Sequence, residues 1–349
     1  MPKSKPKIFL DANIVISAGK PPGGPELARV VDLVEAGLVT VVTTDLTIGE
    51  VAKKHTLNDF ELIREIGQPH FRRVVETATG VRLPEIKRAE LKQKLTADYQ
   101  ASTKAMFTGL RAKTLAIDSV KPSIVLAAYA AGEGFFGGEG KKDQFPDAFA
   151  FECLKQEASE KEPVIIVSQD RDFVRPVEGV THISLVASLA DLFAALGLQI
   201  EVPEIDDFLE DHKEELVEAV DRELANWGLQ GDVEDSEIDE TTVTEVDIED
   251  VMAFRPTEKG DPILVVARLV AKADVSYTHP DWDNASYDSE DKILIPRDEV
   301  SGETEVELQL NVSISILVDG DGEPAQIEEL QFRNDDFIYV ELHPYEDYK

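Results

Sequence analysis

The stretch Lys7–Ser17, KIFLDANIVIS, decides how the chain is read. Ile8, Phe9 and Leu10 form an apolar run long enough for one buried strand. Asp11 follows at once, where a parallel strand would end and a ligand crevice would open. Asn13 comes two residues later, and Ile14, Val15 and Ile16 resume the apolar run. An ionised carboxylate among so many apolar residues is costly unless something compensates it. A divalent cation at the carboxyl end of the strand is one compensation, and capping of the following turn or helix is the other. The strand alone leaves both open.

Outward from this stretch, strand and helix patterns alternate. GKPPGGP (Gly19–Pro25) reads as a loop, ELARVVDLVEAG as an amphipathic helix ending at Gly37, and LVTVVTT (Leu38–Thr44) as a second strand. DLTIGEVAKKH continues as a helix with Glu50 about two turns in, and residues 58–131 read as a largely helical insertion. In the loop Gly132–Lys142, Gly132, Gly134 and Gly137 have the spacing of a dinucleotide fingerprint, but the residues before them look helical, which rules that motif out. DQFPDAFAFECLKQEA then predicts a helix with Pro146 in its first turn and Asp147 beside it. PVIIVSQ is a third strand, ending in Asp170, Arg171 and Asp172, and GVTHISL is a fourth. This alternation predicts, over residues 1–200, an α/β fold with a central parallel sheet and helices on both faces. Residues 201–250 read as an acidic helix followed by a linker. From 251 to 349 the pattern changes to period two, with DGDG (Asp319–Gly322) as a hairpin turn, predicting a small acidic antiparallel β domain.

Charge divides the chain at the same place. Residues 1–200 hold 25 Lys and Arg against 26 Asp and Glu, whereas the remaining 149 residues hold 10 against 44. Adaptation to high salt would acidify both halves, so the asymmetry points to two domains with different tasks. The near-neutral half can approach a nucleic acid; the acidic half would be repelled by one and suits a protein partner instead. Between Leu62 and Val125 the count reverses, 12 basic to 6 acidic. Arg72, Arg73, Arg88 and Lys92, together with Lys142, are therefore candidate nucleic-acid contacts, against the plain alternative of a solvated helix surface. The single cysteine, Cys153, excludes an internal disulfide and a multi-cysteine zinc site. No secretory leader and no run of about 18 apolar residues is present, which fits a cytoplasmic location without a membrane; oligomerisation is left open.

Asp11, Asp170 and Asp172 fall at strand carboxyl ends, Asp147 opens a helix and Glu50 lies on the helix after the second strand. Strand carboxyl ends and the first turns of the helices that follow share one edge of an open α/β sheet, so these acids could converge. Clustered carboxylates repel one another unless a cation is bound, and an all-oxygen set without a supporting His or Cys cluster favours Mg²⁺ or Mn²⁺ over zinc. Spacing does not decide which of Asp170 and Asp172 caps a turn and which would hold the metal.

LDANIVIS, the acid in TIGEV, KKDQFPDAFAF and VSQDRDF, in this order over roughly residues 7–197, resemble the PIN-domain family, in particular its larger bacterial and archaeal PIN-like members. The resemblance implies a metal-dependent nuclease, with RNA more expected as substrate than DNA. Carried over by position, it makes Asp11, Glu50, Asp147 and one or both of Asp170 and Asp172 the catalytic metal-site acids, with Asn13 and Ser168 orienting them. The long helical insertion and the acidic β domain depart from the compact PIN toxins, so a toxin's role does not carry over. Two other readings compete. One is a catalytically inactive PIN-fold scaffold or regulatory binding protein. The other is a Mg²⁺-dependent phosphatase like the haloacid dehalogenases, which needs a second Asp where this chain has Asn13.

Overall fold

In the computed structural model, the described residues are all except 1–4, 138–143, 201–202, 234, 259, 283, 289–292, 297, 334–337 and 343–349. The chain forms two compact units, Met1–Gly197 and Leu198–Lys349.

In the first unit, β1 (Lys7–Leu10) is the middle of a five-stranded sheet with β2 (Thr40–Thr44), β3 (Lys113–Leu115), β4 (Val164–Val167) and β5 (Ile183–Val186). The order is β3-β2-β1-β4-β5 and every pairing is parallel. The chain winds outward from β1 through β2 and β3, then crosses to β4 and β5 on the other side. The order thus reverses at β1 and β4, where the crevice of an open α/β sheet forms. Ile8, Leu10, Val164 and Ile166 are fully buried, as expected of strands covered on both faces.

The helices are α1 (Ala12–Ser17), α2 (Pro25–Glu35), α3 (Asp45–Ile63), α4 (Pro69–Thr79), α5 (Arg88–Gly109), α6 (Pro122–Ala131), α7 (Phe145–Glu157), α8 (Val174–Val177) and α9 (Leu189–Ala195). Pro occupies the first turn of α2, α4, α6 and α7, where its missing N–H costs nothing. The Thr44 hydroxyl caps α3 by accepting from Thr47 N at 3.1 Å. Helix α5 is tied to α3 by the His55–Tyr99 ring stack and by the Tyr99 hydroxyl, which donates to Asp59 at 2.5 Å.

Residues 58–131 are largely helical, and they also contain β3, an edge strand of the parallel sheet that the sequence reading missed, paired Val42 to Lys113 and Thr44 to Leu115. Two expectations need correction. Residues 231–250 are not a linker: Glu237–Phe254 is a single strand, β8. The segment before it is two helices, α10 (Pro203–Asp211) and α11 (Lys213–Leu224), rather than one leaving the domain. Leu209, Leu216, Val220 and Leu224 bury their apolar side in the core of the second unit. Its main sheet joins β8 to β6 (Gln199–Ile200), β9 (Ile263–Pro280), β12 (Glu299–Val318) and β13 (Pro324–Phe332), in the order β13-β12-β9-β8-β6 with all pairs antiparallel. The turn between β12 and β13 holds Asp319–Gly322, as the sequence predicts. Two short pairs complete the unit: β10 (Ser286–Asp288) with β11 (Ile293–Ile295), antiparallel, and β7 (Leu229–Gly231) with β14 (Ile338–Val340), parallel.

Each unit has its own buried cluster. A chain ended after Gly197 should therefore fold alone, giving a mixed α/β circular-dichroism spectrum and one cooperative urea transition. A molten product without a sharp transition would show that the first core depends on the second unit.

Candidate active site

Asp11 leaves β1 with extended backbone and caps α1, its Oδ1 accepting from Ala12 N at 2.7 Å. Its other oxygen, Oδ2, accepts from the Ser168 hydroxyl at 2.5 Å. Ser168 directly follows β4, so this bond crosses the seam where the sheet order reverses. Ser168 Oγ also accepts from Asp170 N at 3.0 Å and lies 3.5 Å from Asn13 Nδ2. One hydroxyl thus holds Asp11 and starts the next turn. The two roles open for Asp11 coexist in geometry: it is a helix cap and also a buried carboxylate, 9% exposed, facing the crevice edge.

Asp170 takes the capping task in the DRDF segment, its Oδ1 accepting from Asp172 N at 2.7 Å. That bond opens the 3₁₀ turn Arg171–Phe173 and leaves both acids half-buried. Asp147 lies in the first turn of α7, half-buried. Glu50 is exposed on α3.

Three aromatic rings set the distance between these pieces. Phe135 meets Phe173 edge-on at 5.0 Å and Phe151 of α7 at 5.7 Å. All three are at least 95% buried. The helix carrying Asp147 and the turn carrying Asp170 and Asp172 are thereby fastened to the same side chain. Phe173 belongs to the VSQDRDF motif, but sequence reading gave its ring no role. Phe135 sits in the Gly-rich segment, where composition suggests only a loop.

The charges of the other four acids are felt at Asp147. Burial pushes the Asp147 carboxyl up to about 7, and the charges of Asp11, Glu50, Asp170 and Asp172 add to the rise. Burial likewise raises Asp11 to about 6; Glu50 and Asp170 push the same way, while the Ser168 and Ala12 hydrogen bonds oppose them. Among the described residues, however, no three His, Cys, Asp or Glu side chains stand close enough together to hold a metal ion. The donor set still fits a hard cation. Mg²⁺ keeps several waters and takes only one or two carboxylates directly. Two buried acceptors at this edge, Asn13 Oδ1 and Gln144 Oε1, have no hydrogen-bond partner, and a water or hydrated ion is the usual answer to such an atom.

The cations singled out for nucleic acid lie elsewhere or are engaged. Arg72 Nη1 donates to Ile66 O at 2.8 Å. Arg88 and Lys92 each stand 5.4 Å from the centre of the Phe60 ring. Phe60 is ten residues along α3 from Glu50, about 15 Å at helical rise. Arg73 is exposed, and Lys142 lies outside the described residues.

Residues 8–173 match the family model described as PIN domain. PIN domains are in general nucleases that act with divalent metal ions such as Mg²⁺ or Mn²⁺. No curated protein and no solved structure gives a significant match. Among the described residues, no helix is long and apolar enough to cross a membrane.

The raised carboxyls make stability depend on pH in a definite direction. Near pH 4 the folded chain keeps the protons of Asp11 and Asp147, and the unfolded chain holds many of its own. As pH rises to about 6 for Asp11 and about 7 for Asp147, only the unfolded chain releases them. Stability then falls by up to about 1.4 kcal/mol per pH unit for each group. In EDTA, Asp147→Asn should therefore melt above the parent chain at pH 8 and level with it near pH 4. A variant that melts lower at pH 8 would mean that the carboxylates do not repel one another.

Proposed function

With residues 8–173 forming a PIN-like domain, we propose that the protein is a metal-dependent endonuclease that hydrolyses phosphodiester bonds, RNA in preference to DNA. The observation that carries this reading is the mutual field of the five acids: four other carboxylates help to hold the Asp147 proton up to about pH 7. Carboxylates grouped at such a cost to stability are more readily understood as ligands than as surface charge.

Among Asp11, Asp147, Asp170 and Asp172, one or two would hold Mg²⁺ or Mn²⁺ directly and the others through its waters, with Glu50 at the rim. When bound, the cation supplies Lewis-acid stabilisation of charge on the scissile phosphate and eases deprotonation of a water. The chain's own residues do the arranging. Ser168 fixes the direction of the Asp11 carboxylate by its 2.5 Å hydrogen bond, and through its bond from Asp170 N it sets where the DRDF turn begins. Asn13 Oδ1, buried and unpartnered, is ready to accept a hydrogen bond from a water at the crevice edge. The Asp170 carboxylate keeps Asp172 N in place and so directs the Asp172 side chain.

A second reading, an inactive scaffold of PIN fold, is favoured by one observation: no three of the described acids stand close enough together to hold an ion. Labelled RNA and DNA oligonucleotides incubated with full-length protein, with EDTA, Mg²⁺ or Mn²⁺, separate the two. Cleavage of RNA that needs the metal is expected. Asp11→Asn should reduce it to background, and Ser168→Ala should reduce it by about 10- to 100-fold, as for a group that orients a ligand. Binding without cleavage under every metal condition would favour the scaffold, and full activity in Asp11→Asn would remove the nuclease assignment.

A further inference from the structure

A set of five carboxylates repels a phosphodiester chain, so something beside it must offset that repulsion. The cations on α4 and α5 include several already engaged within the chain. Two arginines, one in the DRDF segment and one just after it, are placed differently. Arg171 stands between Asp170 and Asp172 and is exposed, and its guanidinium makes no hydrogen bond or ion pair with either or with any other described residue. Its donors are open although two acids flank it. Arg175 follows four residues later and is also exposed, on α8, which continues directly from the 3₁₀ turn that holds Arg171.

The Arg175 guanidinium rests against Gly137, Nη1 lying 3.5 Å from its carbonyl oxygen, the outer limit of a hydrogen bond. The seat exists because residue 137 has no side chain: a Cβ there would stand 1.7 Å from Nη1. Gly137 follows the 3₁₀ turn Gly134–Phe136, which Phe135 fastens to Phe173. The ring contact that fixes the acids therefore also fixes where Arg175 sits. Guanidinium groups offer a rigid fork of donors that matches phosphate oxygens, and these two have their donors unused or weakly used.

We propose that Arg171 and Arg175 are positioning residues that grip backbone phosphates of a nucleic-acid strand next to the bond at the carboxylate set. The inference rests on the nuclease reading and goes beyond it by naming the cations that admit the polyanion.

The test uses full-length protein and a fluorescein-labelled RNA oligonucleotide. Binding is measured over a salt series in the Asp11→Asn background, where cutting is off, and cleavage is measured with Mn²⁺ in the otherwise unaltered chain. Arg171→Ala and Arg175→Ala should each raise Kd about tenfold, and each should flatten the slope of log Kd against log salt by about 0.7. In cleavage, KM should rise more than kcat falls. Lys at either position should restore most of the salt slope but less of the affinity, since it keeps the charge and loses the fork. A purely structural role would lower the melting temperature and leave the salt slope unchanged. An active parent chain whose double Ala variant keeps its Kd and slope would overturn this inference alone. A parent chain that neither binds nor cuts RNA would overturn the nuclease reading and this inference with it.

Discussion

The Ser168 hydroxyl donates to the Asp11 carboxylate across the seam between β1 and β4, and the order of the sheet is what allows it to. The two residues are 157 positions apart in the chain. They meet because the chain builds β2 and β3 on one side of β1, crosses over, and lays β4 directly along the other side in register, Leu10 opposite Val167. Asp11 N then donates to Val167 O at 3.0 Å, one step past the strand end. A buried carboxylate is tolerated there because two donors reach it. Had β4 been placed beyond β2, Asp11 would have lost the hydroxyl, and Ser168 would have lost the group that orders it.

The rest of the edge is assembled at a cost. Asp147 and Asp11 carry raised carboxyls, chiefly from burial; Glu50 and Asp170 add to both, and Asp11 and Asp172 add to Asp147. Local packing has to hold such groups together, and the Phe151–Phe135–Phe173 contacts are well suited to that. They are apolar, insensitive to pH and salt, and attach to both carboxylate-bearing segments. Rigid, well-packed support under a repulsive polar cluster is the usual division of labour at a site that stores electrostatic strain.

What the sequence made legible follows from which signals are local. Continuous apolar runs announced β1, β2, β4 and β5, and their spacing placed the acids at strand ends. The three-residue β3, KTL, has two exposed positions and no apolar run, so only its pairing with β2 identifies it. Strand β8 was hidden for another reason. Its register with β9 shifts between Ile238 and Glu240 and again between Val243 and Glu245. The apolar residues packed on the core therefore fall at 238, 243, 246 and 248, which is not a period of two. The division of roles between Asp170 and Asp172 depends on a single hydrogen bond, which spacing cannot reveal. A charge count likewise finds Arg88 and Lys92 but not the Phe60 ring beneath them.

The acidity of the second unit follows largely from its architecture. Strands β8, β9 and β12 run for 18, 18 and 20 residues. Their flanking strands are short: β6 pairs only with Ala253 and Phe254, and β13 only with residues from Val312 on. Among the described residues, no strand pairs with the outer side of residues 237–249 of β8 or of residues 299–310 of β12, the sides turned away from β9. Long open edges of this kind invite pairing with other chains unless charge or irregularity prevents it. Strand β8 carries Glu237, Asp239, Glu240, Glu245, Asp247, Glu249 and Asp250 together with three register shifts, and β12 carries Glu299, Glu303, Glu305 and Glu307. Among the described residues, Arg268 and Lys272 on the central strand answer Glu249, Asp250 and Glu245 through ion pairs, and Lys213 of α11 answers Asp247. Further along, Asp274 faces Glu305 with no base between them, an arrangement that weakens the pairing of these two strands and equally repels an incoming acidic strand. The acidic residues along these two edges are thus charge of the kind that discourages a long, sparsely paired edge from adding strands of other chains.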